Sequence, residues 1–373
     1  MTDPTLVLSS WHGRHSDSPR AIARELARRG APLRQAWIAA DDVDLPAGVD
    51  RVHPGGEEER AALGAARWIV SNDVLPLDFA KAPGATYLQT WHGTPLKRIG
   101  FDVRHPTFPD AEYHYAVELR RDVARWDVLL SPNRFSTEVL RRAFRFGGEI
   151  LETGYPRNDA LQAPDRDAVR AQAREALEVA DDVRLVLYAP TWRDSFRYSQ
   201  GLDLDALATG LGPEVVVLVR AHGLTAASAG RIEAPGVRDV TRWPDITELY
   251  LASDVLLTDY SSAMFDFAVT RKPQLFYVYD LDHYRDRMRG FTFDFEAEAP
   301  GPLLRTTDEV LRALRAPAAP TAACAEAYDR FVARFCHLDD GRASARVVDA
   351  VFGPAADVAG EPTRSRAPGE TAG

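Results

Sequence analysis

Histidine is the side chain best suited to move a proton near neutral pH, and two of the nine here keep unusual company. His92 lies in "QTWHGTPLKRIGFD" and His222 in "VLVRAHGL". Each follows a short apolar run and precedes a glycine, with Thr94 near the first and Arg220 near the second. A neutral imidazole takes a proton from an alcohol, and a protonated one holds a phosphate. A single loop histidine is more often only hydrogen-bonded; two at matching positions argue for chemistry. Ser261 and Ser262 in "TDYSSAMFDFA" open a helical pattern after another apolar run. Two hydroxyls and the first N–H groups of a helix make a phosphate cradle, whereas capping explains one such residue better than two. Asp266, one turn on, either reaches the same pocket or favours the helix dipole. Arg157 in "TGYPRND" and Thr191 with Arg193 in "APTWRD" also follow apolar runs. Arginine there is a frequent phosphate clamp, though each taken alone is more often a solvated charge. No Gly-x-Gly-x-x-Gly, P-loop or Gly-x-Ser-x-Gly pattern occurs. The acidic stretches "DLDHYRD" and "FDFEAEAP" lack ligand spacing, and Cys324 and Cys336 match no zinc or disulfide pattern, so no metal and no cofactor is expected.

The elements that must hold these residues alternate. "TLVLSS", "QAWIAA", "ARWIVSN", "ATYLQTW" and "WDVLLSPN" read as strands, and "SPRAIARELARRG" and "RFSTEVLRRAF" as helices, the first with Ser18 as cap, before "EILETGYPRND" closes the first half. After Pro164, "APDRDAVRAQAREALEV" reads as a helix, then "VRLVLYAPTW" and "EVVVLVRAHG" as strands. The helix "ITELYLAS", the strand "DVLLTDYSS", the helix "AMFDFAVTR" and the strand "KPQLFYVYD" complete the series. Strands alternating with helices imply parallel βαβ units. The expectation is an α/β chain of two Rossmann-like, doubly wound domains, 1–164 and 165–352, followed by an Ala/Gly/Pro-rich disordered tail over 353–373. Ligands of such folds sit beyond the carboxyl ends of the strands. Four polar strand ends ("TWHGT", "PTWRD", "RAHG", "DYSS") from both halves therefore predict an interdomain cleft. Its residues suit an anionic, phosphate-bearing ligand, most simply a nucleotide.

At 373 residues the chain exceeds one ordinary core. Its net charge of −10 argues against a nucleic-acid partner. The N-terminus does not read as a signal peptide, and no apolar run reaches the ~20 residues of a bilayer span. A cytoplasmic protein is expected, and any membrane contact must then be peripheral.

Taken together, "YLQTWHGTPLKRIGFD", "SPNRFSTEVLRRAF", "TGYPRND", "YAPTWRD", "DITELYLASDVLLTDYSSAMFDFA" and "RGFTFDFEAEAPGPLL" resemble the CDP-glycerol glycerophosphotransferase family of teichoic acid synthesis. "HSDSPRAIARELARRG" and "FCHLDDGRASARVVDAVF" are similar to it as well, so the resemblance runs from about residue 10 to about residue 352. It implies a GT-B fold with the active site between the domains. It implies transfer of a polyol phosphate from a CDP-activated donor to a hydroxyl of a lipid-linked glycan or polyol-phosphate acceptor, with CMP leaving. His92 falls on the family's general base and His222 on its second catalytic histidine, with Arg220 beside it. Donor contacts fall on Gly93, Thr94, Pro95, Leu96, Arg157, Pro190, Thr191, Arg220, Ser261, Ser262 and Asp266. Gly223 stands where the family has proline after its second histidine. The long N-terminal extension of some family polymerases has no counterpart here, so no dedicated membrane-binding region is expected. The aromatic and basic stretch "HPTFPDAEYHYAVELRRDVARW", with Arg120, Arg121 and Arg125, and the pair Lys97 and Arg98 read either as an anionic-membrane contact or as a solvated face. Two other functions share these features: a nucleotide-sugar glycosyltransferase or epimerase of the same fold, and a non-catalytic nucleotide-binding protein.

Overall fold

A computed structural model describes residues 6–103, 111–191, 201–221 and 235–353. Two all-parallel sheets carry the chain. The first contains β1 (Leu6–Ser9), β2 (Gln35–Ile38), β3 (Asp50–Val52), β4 (Trp68–Ser71), β5 (Thr86–Gln89), β6 (Val128–Ser131) and β7 (Glu149–Glu152), in the order β3-β2-β1-β4-β5-β6-β7. The second contains β8 (Arg184–Ala189), β9 (Val215–Val219), β10 (Val237–Asp239), β11 (Val255–Thr258), β12 (Gln274–Tyr277) and β13 (Leu303–Leu304), in the order β10-β9-β8-β11-β12-β13.

Helices cover both faces of each sheet, which is why the central strands are apolar at nearly every position. In the first sheet Val7, Ile69, Tyr87 and Leu129 enter one core, while Leu8, Val70, Leu88 and Leu130 enter the other. The second sheet alternates in the same way, with Leu185, Leu187 and Leu256 on one side and Val186, Tyr188 and Leu257 on the other. Strands β3, β10 and β13 are not expected from the sequence. Each lies at or beside a sheet edge, spans two or three residues, and in two cases carries charges (Asp50, Arg51, Arg238, Asp239), so no alternating signal survives.

Helix starts differ slightly from expectation. The first helix runs Asp17–Arg28 with Ser16, not Ser18, in the cap position. The helix Arg134–Phe144 is capped by Asn133, whose side chain accepts from the Ser136 N–H at 2.8 Å and donates to the Phe335 carbonyl at 2.7 Å. The last helix, Ala343–Val351, crosses back to the first sheet, burying Val347 and Val348 with Leu6, Leu8, Ile22 and Leu26. The Asp159 carboxylate accepts from its first N–H groups, Ala343 at 2.9 Å and Ser344 at 2.7 Å, at the positive end of the helix dipole. Of the tail expected from residue 353, only Gly353 lies among the described residues.

Candidate active site

Each sheet reverses its strand order once, between β1 and β4 and between β8 and β11. The polar segments after these strands meet in a cleft of about 440 Å³, where a doubly wound fold places its ligand. His92, Gly93, Thr94, Pro95 and Leu96 follow β5; Pro190 and Thr191 follow β8; Arg220 follows β9; Ser261, Ser262 and Asp266 follow β11. With Arg157 these line one cavity, so twelve of the thirteen site residues expected from sequence are brought together. The thirteenth, His222, and Arg193 lie outside the described residues.

His92 is held with one nitrogen committed. Its Nδ1 is 2.7 Å from the Asn72 carbonyl oxygen, which can only accept, so the proton sits on Nδ1 and Nε2 keeps its lone pair. Asn72 also accepts the Trp11 backbone N–H at 3.1 Å. The imidazole stacks on Trp91, with centroids 4.2 Å apart and planes 26° apart, and Trp11 packs on it at 4.9 Å. Burial among these rings pulls the His92 pKa below the usual 6.5 despite the carbonyl partner. Trp91 itself packs edge-on against Phe144 and adopts φ 53°, and Asp17, also on the cleft, adopts φ 61°. Left-handed backbone in non-glycine residues stores strain, and strain of this kind collects at functional sites.

The His92 loop belongs to both halves of the molecule. The Thr292 N–H donates to the Leu96 carbonyl at 2.9 Å, Thr292 Oγ1 donates to the Pro95 carbonyl, and Lys97 bridges to Phe291. Leu96 is 1% exposed and packs in a core of the second sheet. Gly93 faces Ser262: a Cβ there would lie 2.7 Å from Ser262 Oγ. The glycine, where a donor contact was expected, makes room for the serine that follows β11 of the other sheet.

Arg157 is occupied. Its Nη1 donates to Asp17 at 3.2 Å and its Nη2 to Asp266 at 2.9 Å, while the guanidinium lies 4.4 Å over the Tyr155 ring. Asn158 continues the network to Asp266 at 3.1 Å and to Asp339 at 3.0 Å. The lone phosphate clamp suggested by sequence is a buried tie between carboxylates of the two halves. Burial raises the Asp266 pKa against the pull of Arg157, and raises that of Asp339 to about 7. Ser261 Oγ accepts from the Ala263 N–H at 3.2 Å, and Asp259 accepts the Thr191 N–H at 2.8 Å, which fixes two walls of the cleft. Arg220 donates to the Trp243 carbonyl at 2.8 Å; burial, then Arg14, lower its pKa to about 10.

Arg14, Asp17, Asn72 and Trp11 line the cleft without having been singled out in the sequence. The signal was available: "SSWHGRHSD" and "SN" follow β1 and β4, the two strands at the switch point. Arg125, grouped by sequence with Arg120 and Arg121 as a surface cation, turns inward instead. It donates to Asp122 and to the Leu75 and Pro76 carbonyls and covers the Phe79 ring, while Arg120 and Arg121 stay exposed. Among the described residues no helix is long and apolar enough to cross a membrane.

Comparison with known proteins agrees with this geometry. A wall teichoic acid polymerase, TagF, has a solved structure that superposes with a TM-score of 0.85 at 36% identity, covering 94% of this chain and 89% of that one. The teichoic acid glycerol-phosphate transferase of Staphylococcus aureus is 40% identical over 363 residues, 93% of this chain and 92% of the relative. The teichoic acid poly(glycerol phosphate) polymerase of Bacillus subtilis is 38% identical over 93% of this chain, which spans only 48% of that relative's length. Residues 2–353 match the family described as CDP-Glycerol:Poly(glycerophosphate) glycerophosphotransferase, and with the fold in agreement the chain belongs to that family of transferases.

Proposed function

We propose that this chain moves glycerol phosphate from CDP-glycerol to a hydroxyl of a teichoic-acid-type polymer acceptor. The observation that carries the reading is His92, whose free Nε2 lone pair opens on a cleft between two nucleotide-type sheets. The acceptor hydroxyl gives its proton to Nε2 as its oxygen bonds to the glycerol-bearing phosphorus. The bond from that phosphorus to the bridging oxygen breaks, and CMP leaves with the electron pair. The pyrophosphate charge falls to Arg220, to the serine pair and to the backbone N–H groups behind them. Arg157 positions Asp266 and Asp17 rather than touching phosphate. His222 has the second catalytic role that its motif implies. The relatives' names and the CDPG soak of a TagF variant support the donor class.

His92→Ala is expected to fold and to lose ~10²–10⁴-fold in turnover, the usual worth of a general base. Release of the leaving nucleotide, CMP or UDP, and product mass, measured with CDP-glycerol, CDP-ribitol and a UDP-sugar in parallel, test both the base and the donor. Near-normal turnover in the variant removes His92 from the chemistry, and turnover only with the UDP-sugar replaces the reading with a glycosyltransferase. The acceptor is lipid-linked in this reading, and the exposed Arg120 and Arg121 dock the first domain on an anionic surface. Flotation with phosphatidylglycerol vesicles at low salt checks this: Arg120→Glu/Arg121→Glu is expected to lose vesicle binding, and an unbound wild type refutes it.

A further inference from the structure

The cleft contains a charge imbalance that spans its two walls. Its three carboxylates are all engaged. Asp17 and Asp266 hold Arg157, and Asp245 holds Arg20 at 2.8 Å while capping the helix Ile246–Ala252. Arg14 and Arg220 have no carboxylate within ion-pair distance among the described residues. Arg14 follows β1 of the first sheet and Arg220 follows β9 of the second, and they act on each other electrostatically as like charges. Arg220 aims one amino group at the Trp243 carbonyl, which fixes the guanidinium without neutralising it. For Arg14 no side-chain hydrogen bond exists among the described residues, and it faces the same cavity. Two unneutralised guanidinium groups on opposite walls of a partly dry cleft are costly unless an anion joins them.

We propose that Arg14 and Arg220 form a two-sided clamp for the donor's pyrophosphate, so that the ligand itself completes the charge pairing between the two domains. This rests on the reading of the cleft as the CDP-glycerol site. Arg14 is then a substrate-binding residue supplied by the domain opposite the one that carries Arg220. The clamp also trades stability for affinity: in the empty protein the two cations repel, and in the complex each meets phosphate oxygen.

Calorimetry with CDP-glycerol and with inorganic pyrophosphate, run beside thermal melts, tests this. Arg14→Gln is expected to weaken binding of both ligands by roughly ten- to a hundredfold, the range for a lost hydrogen bond to a charged group. Arg14→Lys is expected to recover part of that loss by keeping the charge. Without ligand, Arg14→Gln is expected to melt higher than the wild type, an effect that a merely structural arginine does not give. Binding of pyrophosphate by Arg14→Gln within about twofold of wild type overturns the clamp, as does a lower melt in the empty state. If wild type binds pyrophosphate but not CDP-glycerol, and Arg14→Gln loses the pyrophosphate, the clamp stands and the donor assignment fails.

Discussion

At the scale of single residues, His92 carries the most specific chemistry, and its neighbours decide how it titrates. Proton transfer needs a neutral ring with one lone pair exposed. Asn72 fixes which nitrogen that is, and the two indoles keep the ring neutral by excluding water from its charged form. The folded-state pKa is lowered, so the proposed base stays competent as pH falls through the 6.5 of a solvated histidine. The acid limb of the kcat/KM profile is therefore expected below pH 6.5. Trp91→Leu thins the apolar cover and is expected to move that limb up towards 6.5, and a pH–rate series on both proteins checks it. The same shift has a sign for stability. Below 6.5 the unfolded chain takes up a proton that folded His92 refuses, so this residue costs stability as pH falls from 6.5 through its folded value. His15, lowered to about 4 by burial, Arg20 and Arg24, behaves alike but packs edge-on against Trp37 and is not part of the cleft lining.

At the scale of elements, the central strands and the loops after them were legible because both signals are dense: apolar runs of four to six residues, then abrupt polar turns. The edge strands β3, β10 and β13 were not, since two or three residues carry no period. That twelve of the expected residues would line one cleft was legible because they follow predicted strands or stand in the family's motifs. Arg14 and Asp17 obey the same rule after β1 but sit in a run with two histidines and another turn, where spacing favours no single residue. The Arg157 tie was not legible because sequence does not reveal that Asp17 and Asp266, 140 and 109 positions away, both converge on it. The His92 loop also shows how close approach dictates residue type. Gly93→Ala would push a Cβ into Ser262 of the facing helix start. It is expected to cost about 1–3 kcal/mol, the usual range for overpacking. A thermal melt that recovers in Gly93→Ala/Ser262→Gly would tie the loss to that contact, and a variant as stable as wild type would refute it.

At the scale of the molecule, the two sheets are joined by more than a linker. The Arg157 tie, the Thr292 clamp on the His92 loop and the returning C-terminal helix all cross between them. That helix completes the core of the sheet built from the start of the chain. Deleting residues 343–373 bares Leu6, Leu8, Ile22 and Leu26 while leaving every strand in place. The truncated protein is expected to be insoluble or to bind a hydrophobic dye strongly, and a soluble truncation with an unchanged melt would show that the helix is dispensable.

The same helix sets an order of events during synthesis. The first sheet is finished by residue 152, yet Val347 and Val348, which close its core, emerge almost two hundred residues later. At the 5–20 residues per second of ribosomal elongation this leaves an apolar face open for roughly ten to forty seconds, while the second domain is made and folds as a unit. The earlier of the two sheets to be translated is thus the last to be sealed. In a cell short of holding chaperones, the yield of this protein is expected to fall before that of a relative whose first domain closes on itself.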